Sequence, residues 1–403
     1  MDKLPAGKVI IAGAGVAGLT AALAFARHGF HVEVFERSPK LEEVGAGFQL
    51  SPNATHILDR LGVLPDLLPL AVQPEAVILR AAGTLSELAR VPLGRIAQAR
   101  WGAPYLVAHR ADLQRTLLAA VAACQTIRLV TGSSITDTRH DGREVTATVE
   151  TANGAQEISG MLLVGADGVW SGLRSFVGTR GGSRFTGELA WRSVVQRDSS
   201  QGRLLANLGA SKVVTAFLHP GFHLVAYPVR SGDAFNLVAF TPGGRIAEDW
   251  NNYSDISQLK RAMHGIVPAL ASLADHGTAW TTWPIHTVAL QERWTTSCMA
   301  LIGDAAHAMP PFAAQGAAMA IEDAYTLAAR VASASENLPA ALANWEASRR
   351  PRLAKVARRG ALNHFAWHAR GPVAFARNLV LKALPSDKLA SDLDWLYGWD
   401  SSS

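Results

Sequence analysis

The sequence predicts a mixed α/β protein, α+β in overall layout: a parallel βαβ unit opens the chain, an antiparallel sheet fills the middle and long helices close it. Three observations carry this. Two apolar strand-like runs, 8–12 and 31–36, flank a glycine-rich turn and an alanine-rich helical stretch. From about 178 to 285, aromatic and β-branched runs alternate with Gly, Pro, Ser and Asp. Beyond 299 the pattern lengthens to helical stretches at 316–332 and 338–369.

Taken in order, the opening reads as strand 8–12, a turn, helix 16–28 closed by Gly29, and strand 31–36. His109-Arg110-Ala111-Asp112 opens a helix through about Val121. The stretch 127–164 reads as an antiparallel ribbon turning at Asp141-Gly142 and Asn153-Gly154, and feeding a strand Met161 to Val164. Val213 to Leu218, Phe222 to Val229 and Ala234 to Phe240 read as antiparallel strands. Met299 to Ile302 resumes a buried strand. The second long helical stretch is expected to kink or restart at Pro351.

At 403 residues the chain exceeds what one hydrophobic core usually serves, so two intertwined domains are expected. With 49% hydrophobic and 18% charged residues, order is expected everywhere except the last few positions. The apolar run Val9 to Ala26 ends in Ala24-Phe25-Ala26, which imitates a signal-peptidase site. However, it carries spaced glycines and leads into a strand ending in an acid, an order that cleavage after Ala26 would destroy. No other stretch is a membrane-spanning candidate.

The formal charge of +5 is spread along the chain except for Arg349, Arg350, Arg352, Lys355, Arg358 and Arg359. At helical spacing this cluster reads as a solvated face rather than a nucleic-acid surface, with mild attraction for anionic small molecules. Cys124 and Cys298 have no partner pattern, so neither a disulfide framework nor a thiolate metal site is indicated, and a reducing cytoplasm fits.

Gly13-x-Gly15-x-x-Gly18 lies between strand and helix, where glycine permits a tight turn and the helix N-terminus offers unpaired N–H groups to a pyrophosphate. Glu36 ends the second strand, where a carboxylate accepts hydrogen bonds from the ribose hydroxyls of an adenosine and disfavours a 2′-phosphate. The tightly held nucleotide is therefore not NADP. These residues alone leave NAD and FAD open.

Residues 164–174 (VGADGVWSGLR), 303–324 (GDAAHAMPPFAAQGAAMAIEDA) and 109–113 (HRADL) join the glycine loop in one order. Together they resemble the class A flavoprotein aromatic hydroxylases, in the salicylate hydroxylase and 3-hydroxybenzoate 6-hydroxylase branch, over nearly the whole chain. The resemblance implies tightly bound FAD, NADH or NADPH as transient co-substrate, and hydroxylation of a small aromatic substrate by molecular oxygen through a flavin hydroperoxide. It implies a Rossmann-like FAD domain over 1–75, 100–177 and 286–370, an antiparallel-sheet substrate domain over 76–99 and 178–285, and a C-terminal helix and tail over 371–403.

By the same resemblance, Asp167-Gly168 backs the pyrophosphate region and is linked to NAD(P)H use. Asp304 accepts from a ribityl hydroxyl, a group FAD has and NAD lacks. Pro310 and Pro311 stiffen the loop before Gly316, whose helix start faces the flavin ring. Arg37 and Arg110 look like the adenosine-side and phosphate-side contacts, and Val16, Ala17, Gly47 and Ala317 complete the cofactor-binding set. His307 is assigned no chemistry.

His223 and Tyr227 stand four apart on an expected strand, so both point to one face. Their His-x-x-x-Tyr-Pro spacing resembles that of the 3-hydroxybenzoate branch, which implies that the pair faces the substrate, with His223 taking a phenol proton. The tail from Asp394 to Asp400 resembles the same branch, whereas Phe312 departs from the hydroxynicotinate pattern. Phe312, Met309 and Phe217 are candidate apolar walls. Three other readings stay open: an FAD-dependent oxidase or dehydrogenase without oxygen insertion, a flavin-carrying binding or sensor protein, and a plain NAD dehydrogenase. The sequence leaves the substrate, the nicotinamide, any decarboxylation, and monomer against homodimer undecided.

Overall fold

The computed structural model describes residues 7–41, 47–142, 144–179, 181–245, 255–275, 279–334 and 337–400. The last three residues, where disorder was expected, lie outside that set. Continuous apolar runs such as Val9 to Ala12 and Leu162 to Val164 have no polar face, and this is the pattern of strands covered on both sides. They form a five-stranded parallel sheet in the order Met299–Leu301, Leu162–Gly165, Lys8–Ala12, His31–Glu36, Ile127–Thr131. The helix Val16–Arg27 packs on it and against the helix Gly316–Ala332.

A three-stranded antiparallel ribbon, Ser133–His140, Val145–Thr151 and Gly154–Gly160, connects Ile127–Thr131 to Leu162–Gly165. The expectation for 127–164 needs correcting at its start. Ile127–Thr131 pairs in parallel with His31–Glu36 and belongs to the nucleotide-type sheet, because its apolar residues find a partner there before the chain turns at Gly132.

The seven-stranded sheet runs Thr281–Thr287, Arg184–Gln196, Ala234–Pro242, Phe222–Val229, Val214–His219, Ala76–Ala81, Glu87–Pro92. All its pairs are antiparallel except Val214–His219 with Ala76–Ala81. Strand alternation splits its two faces. Phe222, Leu224, Ala226, Phe235, Leu237, Leu189 and Trp191 fill a core on the outer side, while Val225, Tyr227, Val238, Phe240 and Ala190 face the nucleotide-type domain.

The helix Leu338–Trp367 is continuous across Pro351 and does not restart there. Two ion-pairing arginines on either side of the proline hold it to the neighbouring helix. The basic cluster is a solvated face only in part: Lys355 and Arg358 are exposed, whereas Arg349 and Arg352 are drawn inward. Arg349 is buried and bonds Glu322 and Asp323 at 2.7 Å each, and Arg352 bonds Glu322 at 2.6 Å. The acids that neutralise Arg349 and Arg352 come from Gly316–Ala332, so these two charges are met between two helices. Lys355 lies over the Trp395 ring, and the main-chain carbonyls of Trp395 and Leu396 accept hydrogen bonds from Arg352, which ties the tail down.

Candidate active site

The glycine loop is shaped by packing at two of its three glycines. Gly13 has φ +100° and a Cβ there would meet the Ala166 carbonyl oxygen at 2.5 Å; a Cβ on Gly18 would meet that of Gly13 at 1.9 Å. A Cβ on Gly15 would meet nothing within 4 Å, so no neighbour in the chain demands glycine there. Space left at the start of a helix, beside Val16 and Ala17, suits a group from outside the chain. Glu36 reaches the same loop: its carboxylate oxygens accept the N–H of Ala14 at 2.8 Å and of Ser38 at 2.9 Å. Arg37 beside it is exposed, and Arg110 opens the helix Arg110–Ala122 that His109 caps.

The other sequence-derived cofactor positions converge on the same side of the parallel sheet. Asp167 and Gly168 follow the strand Leu162–Gly165; one Asp167 oxygen accepts from Leu173 N–H and the other, Oδ1, is buried without a partner. Asp304, after the strand Met299–Leu301, keeps its side chain exposed. Pro311 opens the short turn before Gly316, where a Cβ would again meet nothing within 4 Å, and Gly316 and Ala317 begin their helix with N–H groups that no side chain caps. An orphaned carboxylate oxygen and two uncrowded helix starts fit a long ligand carrying hydroxyls and phosphates. His307 is committed elsewhere: its Nε2 bonds Asp323, and both are buried.

Gly47 joins this side of the molecule to the seven-stranded sheet. Its N–H donates to Asn236 Oδ1 at 2.6 Å, and a Cβ would come within 2.7 Å of the Tyr227 ring. On the same sheet face, His223 is fully buried and packed by rings: Phe240 stacks at 4.5 Å, with Trp367 at 4.9 Å and Phe312 at 5.5 Å. Its Nδ1 lies 3.1 Å from Nε2 of His368, while its own Nε2 has no partner. Burial, then the nearby His368 and His364, hold His223 well below the ordinary histidine value, so it is neutral in the folded protein at pH 7. Burial likewise raises the Tyr227 hydroxyl, against the opposing charge of Arg192.

Sequence reasoning missed three residues here. Arg192 projects from Arg184–Gln196 on the same face, in the cross-strand row between those of His223 and Tyr227, with its guanidinium 3.4 Å from the Trp283 ring centre. His364 and His368 arrive from Leu338–Trp367 and the residue that caps it. Their i, i+4 spacing was the available signal. Arg192 left a weaker one, since both faces of its strand are buried and the alternation shows no polar side. Of the candidate walls, Phe312 lies in the ring cluster, Met309 packs at the edge of the larger core, and Phe217 turns to the outer core. Its neighbours on the face toward the parallel-sheet domain, Ala216 and Leu218, are what alternation puts there.

The architecture therefore sets a nucleotide-type parallel domain against a sheet carrying an enclosed histidine. A family model described as an FAD binding domain matches residues 7–360. The 3-hydroxybenzoate 6-hydroxylase of Polaromonas naphthalenivorans is 32% identical over 394 residues, covering 97% of this chain and 96% of that protein. The 3-amino-4-hydroxybenzoate 2-monooxygenase of Streptomyces platensis is also 32% identical, covering 98% and 96%. The structure of Klebsiella pneumoniae HpxO with FAD and uric acid superposes with a TM-score of 0.82 at 24% identity, covering 96% of this chain and 95% of that one, and supports the fold.

The chain belongs to the class A FAD-dependent aromatic hydroxylases. It is an FAD-dependent monooxygenase that uses a reduced nicotinamide and molecular oxygen to hydroxylate a small aromatic compound, and the oxidase, sensor and NAD-dehydrogenase readings fall away. Among the described residues, no helix is long and apolar enough to cross a membrane.

Proposed function

We propose that the substrate is a small hydroxy-aromatic acid, 3-hydroxybenzoate being the model, and that NADH is the donor. The observation that carries this is the buried His223, with Nε2 uncommitted, on the sheet face that also presents Arg192 and Tyr227. His223 and Tyr227 are about 13 Å apart along the strand, so one benzene ring cannot touch both unless it lies between them. The Arg192 row falls between. A hydroxybenzoate laid there directs its phenol to His223 and its carboxylate toward Arg192, whose planar fork suits a carboxylate.

In this reading Gly13, Gly15, Val16, Ala17 and Gly18 cradle the FAD pyrophosphate, with Glu36 on the adenosine ribose and Arg37 and Arg110 at its flanks. Asp167, Gly168 and Asp304 serve the pyrophosphate-ribityl stretch, while Gly47, Pro311, Gly316 and Ala317 border the ring. FAD, when bound, supplies electron transfer from the nicotinamide and activation of oxygen. The chain's own part is to hold the acid, take the phenol proton at His223 Nε2, and keep water out with Phe240, Phe312 and Trp367.

We divide the chain as 1–75, 100–177 and 286–370 for FAD, 76–99 and 178–285 for substrate, and 371–403 as a C-terminal appendage, acting in the cytoplasm as a monomer or homodimer. The test is NADH and NADPH oxidation by the yellow protein with 3-hydroxybenzoate, salicylate and 6-hydroxynicotinate, recording oxygen uptake and peroxide together. Fast NADH oxidation with little peroxide for a hydroxybenzoate is expected. No stimulation by any hydroxy-aromatic acid would overturn the assignment.

A further inference from the structure

The three histidines at the substrate face form a directed chain, and its direction can be worked out from hydrogen-bond chemistry. His368 Nδ1 lies 2.9 Å from the main-chain carbonyl oxygen of His364. A carbonyl only accepts, so a neutral His368 must carry its hydrogen on Nδ1 and leave Nε2 as a lone pair. His223 Nδ1, 3.1 Å from that Nε2, must then be the donor. A neutral His223 that donates from Nδ1 has its lone pair on Nε2, the atom that is buried with no partner. A carbonyl on one helix thus fixes, through His368, a base on a strand 145 residues before that histidine.

We infer that His368 is the proton store for His223: the phenol O–H bond of the substrate breaks to His223 Nε2 as the His223 Nδ1–H proton passes to His368 Nε2. This rests on the proposed placement of the phenol at His223. The step balances. The substrate becomes a phenolate, His223 stays neutral with its hydrogen moved to Nε2, and His368 becomes an imidazolium. Its Nδ1–H keeps its bond to the His364 carbonyl. The proton returns along the same path when the hydroxylated product is neutralised, so no exit to solvent is required.

A neutral N–H, not a cation, then faces the phenolate while the ring is attacked. The groups around the pair set the cost of charging His368. His364 and Arg370 lie near His368 and disfavour its charge, whereas Glu188, on the substrate-domain strand Arg184–Gln196, accepts from His364 Nε2 at 2.9 Å and returns negative charge to the cluster. Arg192 and Tyr227 lie along the same sheet face. Burial, opposed by the His364 carbonyl and reinforced by His364 and Arg370, pushes His368 down to about 4, so both rings start neutral and charging His368 is the costly part of the transfer. His368 acts through His223 and is a positioning residue.

The experiment uses the holoenzyme with 3-hydroxybenzoate as probe. Histidine-selective ¹⁵N NMR of the parent protein, assigned with His223→Gln and His368→Gln, should show the Nδ1–H tautomer on both rings at pH 7; an Nε2–H tautomer on either overturns the chain. His368→Gln keeps an acceptor for His223 but cannot take a proton. Its substrate-stimulated NADH oxidation should fall by about 100-fold at pH 7. It should recover toward the parent as pH approaches about 10, where a phenol ionises without help. FAD content should not change. A pH-independent loss, or none, would overturn the proton store in favour of a packing role. If 3-hydroxybenzoate fails to stimulate the parent enzyme, the substrate assignment falls while the tautomers still decide the chain.

Discussion

Two clusters of titratable side chains are buried in this protein, and they are finished in opposite ways. In the first, Glu322, Asp323, Arg349, Arg352 and His307 exchange hydrogen bonds until each charge is met, and Asn53 extends the network to Gln315 and Ser51. Burial alone would raise Asp323, but His307 and Arg349 outweigh it and hold its carboxyl below the usual range. In the second, His223 and His368 are neutral, packed among aromatic rings, and one nitrogen is left with nothing to bond. A complete network fixes two helices. An incomplete one, closed around His223 and half-buried at His368, is the arrangement expected where a ligand supplies the missing partner.

The contrast can be broken most severely at Arg349. Arg349→Met leaves two buried carboxylates short of a partner and should cost about 3–5 kcal/mol of stability, read as a lowered midpoint in denaturant. A loss below 1 kcal/mol would show that the two acids find other partners. At the second cluster, His223→Asn should lower coupled hydroxylation by about 100-fold while FAD binding and the melting profile stay near the parent, since no charge is stranded. Equal stability losses in the two variants would erase the distinction.

Smaller effects sharpen it. Glu36→Ala removes an acceptor for two backbone N–H groups beside the glycine loop, and FAD affinity should weaken by about 10-fold or more, measured by dialysis and fluorescence titration. The pH dependence is the mildest test. His223 and His368 have native pKa values below their unfolded ones, so the unfolded chain binds protons that the native one refuses, and stability should fall as pH drops from about 6.5 toward 4. That acid-side slope should flatten in His223→Asn, and an unchanged slope would place the acid sensitivity elsewhere.

What could be read from the sequence follows how local the physics is. The glycine loop, the helix after it and Glu36 occupy one continuous stretch, and their spacing specifies turn, helix and strand with no knowledge of the rest. The strand pair His223 and Tyr227 was legible for the same reason, because alternation alone puts them on one face. Arg192, His364 and His368 were not, because each matters only through a contact with a distant strand or helix. The inward part of the basic cluster was misread because Glu322 and Asp323 lie 27 and 26 residues from Arg349, and only the packing of two helices brings them together.

The helix Leu338–Trp367 carries Arg349 and Arg352 in its middle and His364 near its end, with His368 at its cap. Its 30 residues amount to a rod of about 45 Å, gripped at one point and used at another. Inserting or deleting a single residue between Arg352 and His364 would turn both histidines by about 100° relative to the anchored half. This stretch should accept many changes of side chain but no change of length. In a library of random insertions it is expected to be a silent gap, although much of its surface faces solvent.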